Sequence, residues 1–146
     1  MVSTGSGLTP EERRRLVEVA REARGRAYAP YSGFQVGAAV LTEAGNLYPG
    51  CNVENASYGL AVCAERVAIF NAVVAEGPGV RVRGLAVQCS GAGPCSPCGA
   101  CRQVILEFGP SATVLFDREE GMVEMEAGAL LPAGFTFDAG RAEAGQ

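Results

Sequence analysis

Cys63-Ala64-Glu65-Arg66, answered further along by Pro97-Cys98-Gly99-Ala100-Cys101, is the pair of stretches that decides how the rest of the chain is read. Thiolates bind Zn²⁺ tightly, and a catalytic zinc keeps three protein ligands so that water can take the fourth tetrahedral position. Cys63, Cys98 and Cys101 supply three sulfurs. The metal acidifies that water, but a second group must carry protons between water and substrate. Glu65, two residues from Cys63, is the candidate. Both clusters open helical patterns, and the bare amides and partial positive charge of a helix N-terminus favour thiolate there. Arg66 is close enough in sequence to donate hydrogen bonds to the thiolates from outside the metal's ligand shell.

Helical spacing runs from Cys63 through Val67, Ala68, Phe70, Asn71 and Val74 until Gly77-Pro78-Gly79 ends it. A second helix over 100–108 carries Val104, Ile105 and Phe108 on one face before Gly109-Pro110. Near the start, Thr9-Pro10-Glu11-Glu12 combines an N-cap, a proline at the first helical position and a capping-box glutamate. That predicts a helix stopping at Gly25. Strand patterns cover 34–42, a hairpin partner from 47 to about 53, then 82–89, 112–116 and 122–126. The order helix, hairpin, helix, strand, helix, strand, strand predicts an α/β fold. It is a three-layer α-β-α sandwich around a mixed five-stranded sheet, with crossover helices packed on both sides. Residues 1–146 read as a single domain, with 1–8 and 138–146 expected to be flexible.

The chain has 146 residues, enough for one domain to bury a core of its own. A net charge of −4, with no basic run beyond Arg13-Arg14-Arg15, argues against polymeric nucleic acid as a partner. The apolar runs are too short to span a bilayer and residues 1–7 are polar, so the expected location is the cytoplasm, away from membranes. Thiols are kept reduced there, so six cysteines point to metal or catalytic ligands rather than disulfides. No histidine is present, which removes every Ser-His-Asp and Cys-His arrangement and leaves acid–base work to carboxylates.

Cys95 complicates the ligand set, because Cys95 and Cys98 have the same spacing as Cys98 and Cys101. Pro97 places the later pair at a helix start and leaves Cys95 in a Gly/Pro/Ser-rich loop. Cys51 and Cys89 sit in strand patterns and read as small buried apolar residues. A non-catalytic zinc module would take Cys95 as its fourth ligand. A redox role for one Cys-x-x-Cys pair would leave Cys63-x-Glu65 without a purpose. On spacing alone, Asn52-Val53-Glu54-Asn55 reads as a polar loop at a strand exit.

A metal ligand two residues before a glutamate, followed by Pro-Cys-x-x-Cys, is the signature of zinc deaminases, met here with cysteine as first ligand. Beyond it the chain resembles the small homotetrameric cytidine deaminases in several ordered blocks. These are Tyr31-Ser32-Gly33-Phe34-Gln35-Val36-Gly37-Ala38-Ala39, Gly50-Cys51-Asn52-Val53-Glu54-Asn55-Ala56-Ser57-Tyr58-Gly59-Leu60, Cys63-Ala64-Glu65-Arg66, Ser96-Pro97-Cys98-Gly99-Ala100-Cys101-Arg102-Gln103-Val104, and Leu130-Leu131-Pro132 before Phe135. The resemblance implies one zinc per subunit and hydrolysis of cytidine and 2′-deoxycytidine to the uridines and ammonia, a pyrimidine-salvage reaction. It also implies that Asn52 and Glu54 hold the ribose hydroxyls, against the bland loop reading, and that Phe34 and Ala64 lie against the nucleoside. Tyr58 and Phe135 would complete the pockets of neighbouring subunits. Thr136-Phe137-Asp138-Ala139-Gly140 departs from that family's usual tail. A deaminase of the same architecture acting on another aminonucleoside, such as blasticidin S, is the nearer rival, and the Asn52/Glu54 pair argues against it.

Overall fold

The structure, a computed structural model, describes residues 7–91 and 93–137. Thr9 caps helix α1 (Pro10–Arg24). The Glu12 amide donates to Thr9 Oγ1 at 3.1 Å and the Thr9 amide to Glu12 Oε1 at 2.9 Å, so two amides that a helix start leaves bare are satisfied. Strands β1 (Val36–Thr42) and β2 (Leu47–Cys51) form the hairpin, in register from Gly37 opposite Cys51 to Leu41 opposite Leu47. Then follow α2 (Ala64–Glu76), β3 (Val82–Cys89), α3 (Gly99–Phe108), β4 (Thr113–Arg118), β5 (Gly121–Glu126) and a short α4 (Ala127–Leu130). The sheet runs β2-β1-β3-β4-β5, with β3 and β4 parallel and the other neighbours antiparallel. The mixed five-stranded sheet and its three layers are as expected.

Alternation along the strands builds two cores. Ala38, Val40, Leu85, Val87, Val114 and Phe116 face α2 and α3, packing with Ala64, Ala68, Ile69 and Ile105. Ala39, Leu41, Ala86 and Leu115 face α1, where they meet Leu16 and Ala20. The central strands are apolar on both sides for this reason. Two glycines let the helices approach closely. A β-carbon on Gly37 would lie 2.0 Å from the Ala20 carbonyl oxygen of α1, and one on Gly50 would lie 2.4 Å from the Ala68 amide nitrogen of α2.

Three expectations need correction. Both crossover helices, α2 and α3, lie on one face, and α1 supplies the other. The steps from β2 to β3 and from β3 to β4 move across the sheet in the same direction, so two right-handed crossovers land on the same side. Leu8, expected to be loose, is 5% exposed and covers Gly84 beside Leu16. The rest of the flexible-terminus expectation, at 1–6 and 138–146, lies outside the described residues. Finally, β2 ends at Cys51 instead of near 53, because the Asn52 side chain turns back to the strand entering β1 while Val53 makes single bridges to Tyr28 and Val62. A 3-10 turn at Tyr58–Leu60 and the short α4 carried no sequence signal that was read. No helix among the described residues is long and apolar enough to cross a membrane.

Candidate active site

Two helix starts bring the cysteines together. Cys63 is the N-cap of α2 and Cys98 the N-cap of α3, both in extended backbone and neither using its side chain to cap the helix. Their sulfurs are thereby left free for another partner. Cys101 follows within the first turn of α3 and is fully buried. The three Sγ atoms lie within 4.8 Å of one another. Sulfurs around a tetrahedral zinc, at ~2.3 Å from the metal, stand roughly 3.8 Å apart, so the cluster fits that ion with little adjustment.

Arg66, one turn into α2, donates from Nη2 to Cys63 Sγ at 3.2 Å. Its Nε is buried and has no hydrogen-bond partner among the described residues. A half-buried guanidinium with a buried, unspent N–H suits a site that gathers negative charge, as three thiolates on one dication do. The thiols already show this polarisation. Cys63 is drawn down to about 5, chiefly by the hydrogen bond from the Cys101 thiol and then by Arg66, while Cys101 is pushed up as the partner that keeps its proton. Arg102 of α3 bonds the carbonyl oxygens of Pro97 at 2.8 Å and Leu130 at 3.0 Å, and so fixes the segment entering Cys98.

Glu65 sits in the first turn of α2 and is 5% exposed. Burial pushes its carboxyl from the ordinary 4.5 up to about 7, where it can take up and release a proton near neutrality. Cys63, Ala64, Glu65 and Cys98 line the floor of a cleft of about 310 Å³, within the range of small-molecule sites. Phe34, Asn52 and Glu54 stand on its wall. Asn52 Oδ1 accepts from the Val36 amide at 2.9 Å and its Nδ2 donates to the Phe34 carbonyl at 2.8 Å, leaving one amide hydrogen for a ligand. Glu54 accepts from the Tyr31 and Ser32 amides and from the Ser32 hydroxyl, which holds its carboxyl below the usual range, the hydroxyl contributing most.

Of the residues singled out in the sequence, the cleft thus gathers Cys63, Cys98, Ala64, Glu65, Phe34, Asn52 and Glu54, with Cys101 and Arg66 behind its floor. Tyr58 and Phe135 are elsewhere. Tyr58, 79% exposed, stacks edge-on with Tyr31 beside a neighbouring cavity, and Phe135, 73% exposed, has its carbonyl held by Gln103 Nε2 at 2.8 Å. The fate of Cys89 and Cys95 is a correction. They form a disulfide across the end of β3 and the following loop. Cys89 is therefore not simply a small apolar residue, Cys95 is buried rather than free in a loop, and Cys95 is unavailable as a fourth metal ligand. The loop is pinned from the other side too, since the Cys95 amide donates to the Asp117 carbonyl at 2.9 Å. Both half-cystines line the cleft with Val36, Val87 and Pro94, a wall that spacing did not reveal because it is assembled by tertiary packing.

Comparison with known proteins agrees with this geometry. Residues 10–117 match the family described as the cytidine and deoxycytidylate deaminase zinc-binding region. A cytidine deaminase of Sporosarcina psychrophila is 46% identical over 84% of this chain and 90% of its own length. One from Halalkalibacterium halodurans is 45% identical over 87% and 96%. Among solved structures, the cytidine deaminase of Burkholderia pseudomallei superposes with a TM-score of 0.77 at 47% identity, covering 88% of this chain and all of that one. That of Mycobacterium tuberculosis gives 0.75 at 40% identity, over 86% and 98%. The chain belongs to the cytidine and deoxycytidylate deaminase zinc-binding family.

Proposed function

We propose that this family member is an enzyme that hydrolyses cytidine and 2′-deoxycytidine to uridine and 2′-deoxyuridine, releasing ammonia, in pyrimidine salvage in the cytoplasm. The observation that carries the reading is the juxtaposition of a three-sulfur cluster with a buried carboxyl of raised pKa at the floor of a nucleoside-sized cleft.

Cys63, Cys98 and Cys101 would hold one zinc per subunit, and the bound metal supplies Lewis acidity that makes water nucleophilic near neutral pH. Glu65 moves the protons. It takes one from the water that attacks C4 and delivers it to N3 of the pyrimidine, then passes the second to the departing amino group, so that water and cytidine give uridine and ammonia in balance. Its burial keeps that carboxyl near the midpoint of titration and excludes bulk water. Arg66 offsets charge on the thiolates through its bond to Cys63. Phe34 gives an apolar surface to the base, while Asn52 and Glu54 read sugar hydroxyls, which a site built around buried polar groups does far more selectively than an apolar pocket.

Each chain is one domain, and the assembly is a homotetramer in which Tyr58 and Phe135 reach neighbouring sites. The support is the set of large apolar side chains left exposed on the single chain, among them Tyr58, Leu60, Phe70, Val74 and Phe135, which a partner surface would cover. Incubating the purified, zinc-replete protein with cytidine and separating the products tests the reaction. Stoichiometric uridine and ammonia are expected. No conversion by a folded, zinc-loaded tetramer would transfer the assignment to another aminated substrate, and a monomer by sedimentation would remove the shared-site account.

A further inference from the structure

The turn 31–34 does more than bridge two elements. Glu54 is tied to it by backbone and side chain together. Its amide donates to the Tyr28 carbonyl at 2.8 Å, and Glu54 Oε1 accepts from the Tyr31 amide at 2.9 Å and the Ser32 amide at 3.2 Å. The Ser32 hydroxyl donates its single proton to Glu54 Oε2 and accepts from the Phe34 amide at 3.0 Å. These directions are forced, because an amide N–H can only donate and an ionised carboxylate can only accept. Gly33 makes the arrangement possible. With φ at +69°, it occupies the left-handed region that favours glycine and curls Phe34 back toward the Ser32 side chain.

A carboxylate has about four acceptor directions. Three are taken by Tyr31 and Ser32, which leaves one for a sugar hydroxyl. We infer that Ser32 is a positioning residue for sugar recognition: its hydroxyl, held in place by the Phe34 amide, orients the Glu54 carboxylate toward the ligand. This rests on the reading of Glu54 as a sugar ligand given above. Ser32 touches no reacting atom and acts only through Glu54.

The test is steady-state kinetics of Ser32→Ala with two nucleosides, cytidine and 2′,3′-dideoxycytidine, the latter lacking both ring hydroxyls. For cytidine, KM rises about tenfold, the loss of one charge-assisted hydrogen bond, and kcat stays within about twofold. For the dideoxynucleoside, KM (or Ki, if turnover is slow) is unchanged. In a Glu54→Gln background Ser32→Ala adds nothing further, and Ser32→Thr, which keeps a hydroxyl, recovers most of the loss. An equal rise for both nucleosides, an unchanged KM for cytidine, or full additivity with Glu54→Gln overturns the assignment. If Ser32→Ala does not fold, Ser32→Cys with its weaker donor takes the same tests, with an intermediate rise expected and no rise refuting. A wild-type protein inactive on cytidine would refute the underlying reading itself, an outcome that no Ser32 variant can mimic.

Discussion

Replacing Gly50 by alanine tests whether the close seating of α2 on the sheet positions the catalytic floor. The added β-carbon would lie 2.4 Å from the Ala68 amide nitrogen, 2.5 Å from the Ala64 carbonyl oxygen and 2.8 Å from the Ala68 α-carbon, whereas ordinary contact begins near 3.4 Å. All three are backbone atoms, so no side chain can swing away. The first two turns of α2 must retreat by about 1 Å, carrying Cys63, Glu65 and Arg66. Overpacking of this kind costs about 1–3 kcal/mol, which in a chain this long lowers Tm by roughly 2–12 °C. A displacement of about 1 Å at a catalytic group costs on the order of 10²-fold in rate. Gly50→Ala is therefore expected to lower both Tm and kcat/KM, measured by calorimetry and cytidine turnover at equal zinc content. Two controls isolate the cause. Gly37→Ala clashes with α1, at Ala20 and Arg24, and is expected to lower Tm while sparing the site more; Gly79→Ala meets nothing within 4 Å and is expected to be neutral. Wild-type Tm and turnover in Gly50→Ala would refute the reasoning.

The disulfide gives a count: the unreduced, denatured, zinc-stripped chain is expected to titrate four thiols and the reduced chain six, and six without reduction would remove the Cys89–Cys95 bond. Cys98→Ala is expected to lose zinc by metal analysis and Cys95→Ala to keep it; the reverse result would show that the wrong Cys-x-x-Cys pair had been chosen. Glu12 is held down to about 2, first by Arg83 and then by the Thr9 amide, so its unfolded-state pKa near 4.5 lies above the folded one. Its contribution is present above about pH 4.5 and fades as pH falls toward 2, and after allowance for its exposed side it is on the order of 1 kcal/mol. Glu12→Gln is expected to flatten the fall of Tm over that window, and parallel profiles for variant and wild type would contradict it.

The fold was legible wherever one local rule decided the matter. Thr9 and Glu12 announced α1 through a capping box, and Gly77 and Gly109 stopped α2 and α3 where expected. The metal site was legible for a related reason. Cys98 and Cys101, at the N-cap and in the first turn of α3, have a spacing that helix geometry converts directly into proximity, and Cys63 marks the start of α2 in the same way. What escaped depended on partners distant in sequence or on topology. The face chosen by α2 and α3 follows from crossover handedness, which no residue encodes. The Cys89–Cys95 bond ran against a compartment-based expectation that thiols stay reduced, and only the return of the loop after β3 places the two sulfurs together. Ser32 read as turn chemistry because its partner Glu54 lies 22 residues away, and nothing in the turn itself points there. Asn52 was expected at the sugar and stands on the cleft wall, but most of its hydrogen bonding fixes the strand beside Phe34.

The most direct test of the account is the rate at which Glu65→Gln converts cytidine, followed by the change in pyrimidine absorbance, with zinc content and Tm matched to wild type. Because the account gives this carboxyl both proton transfers, it predicts a fall of at least ~10²- to 10⁴-fold in kcat with zinc retained. Near-normal turnover in that variant would contradict it and transfer the proton chemistry to another group.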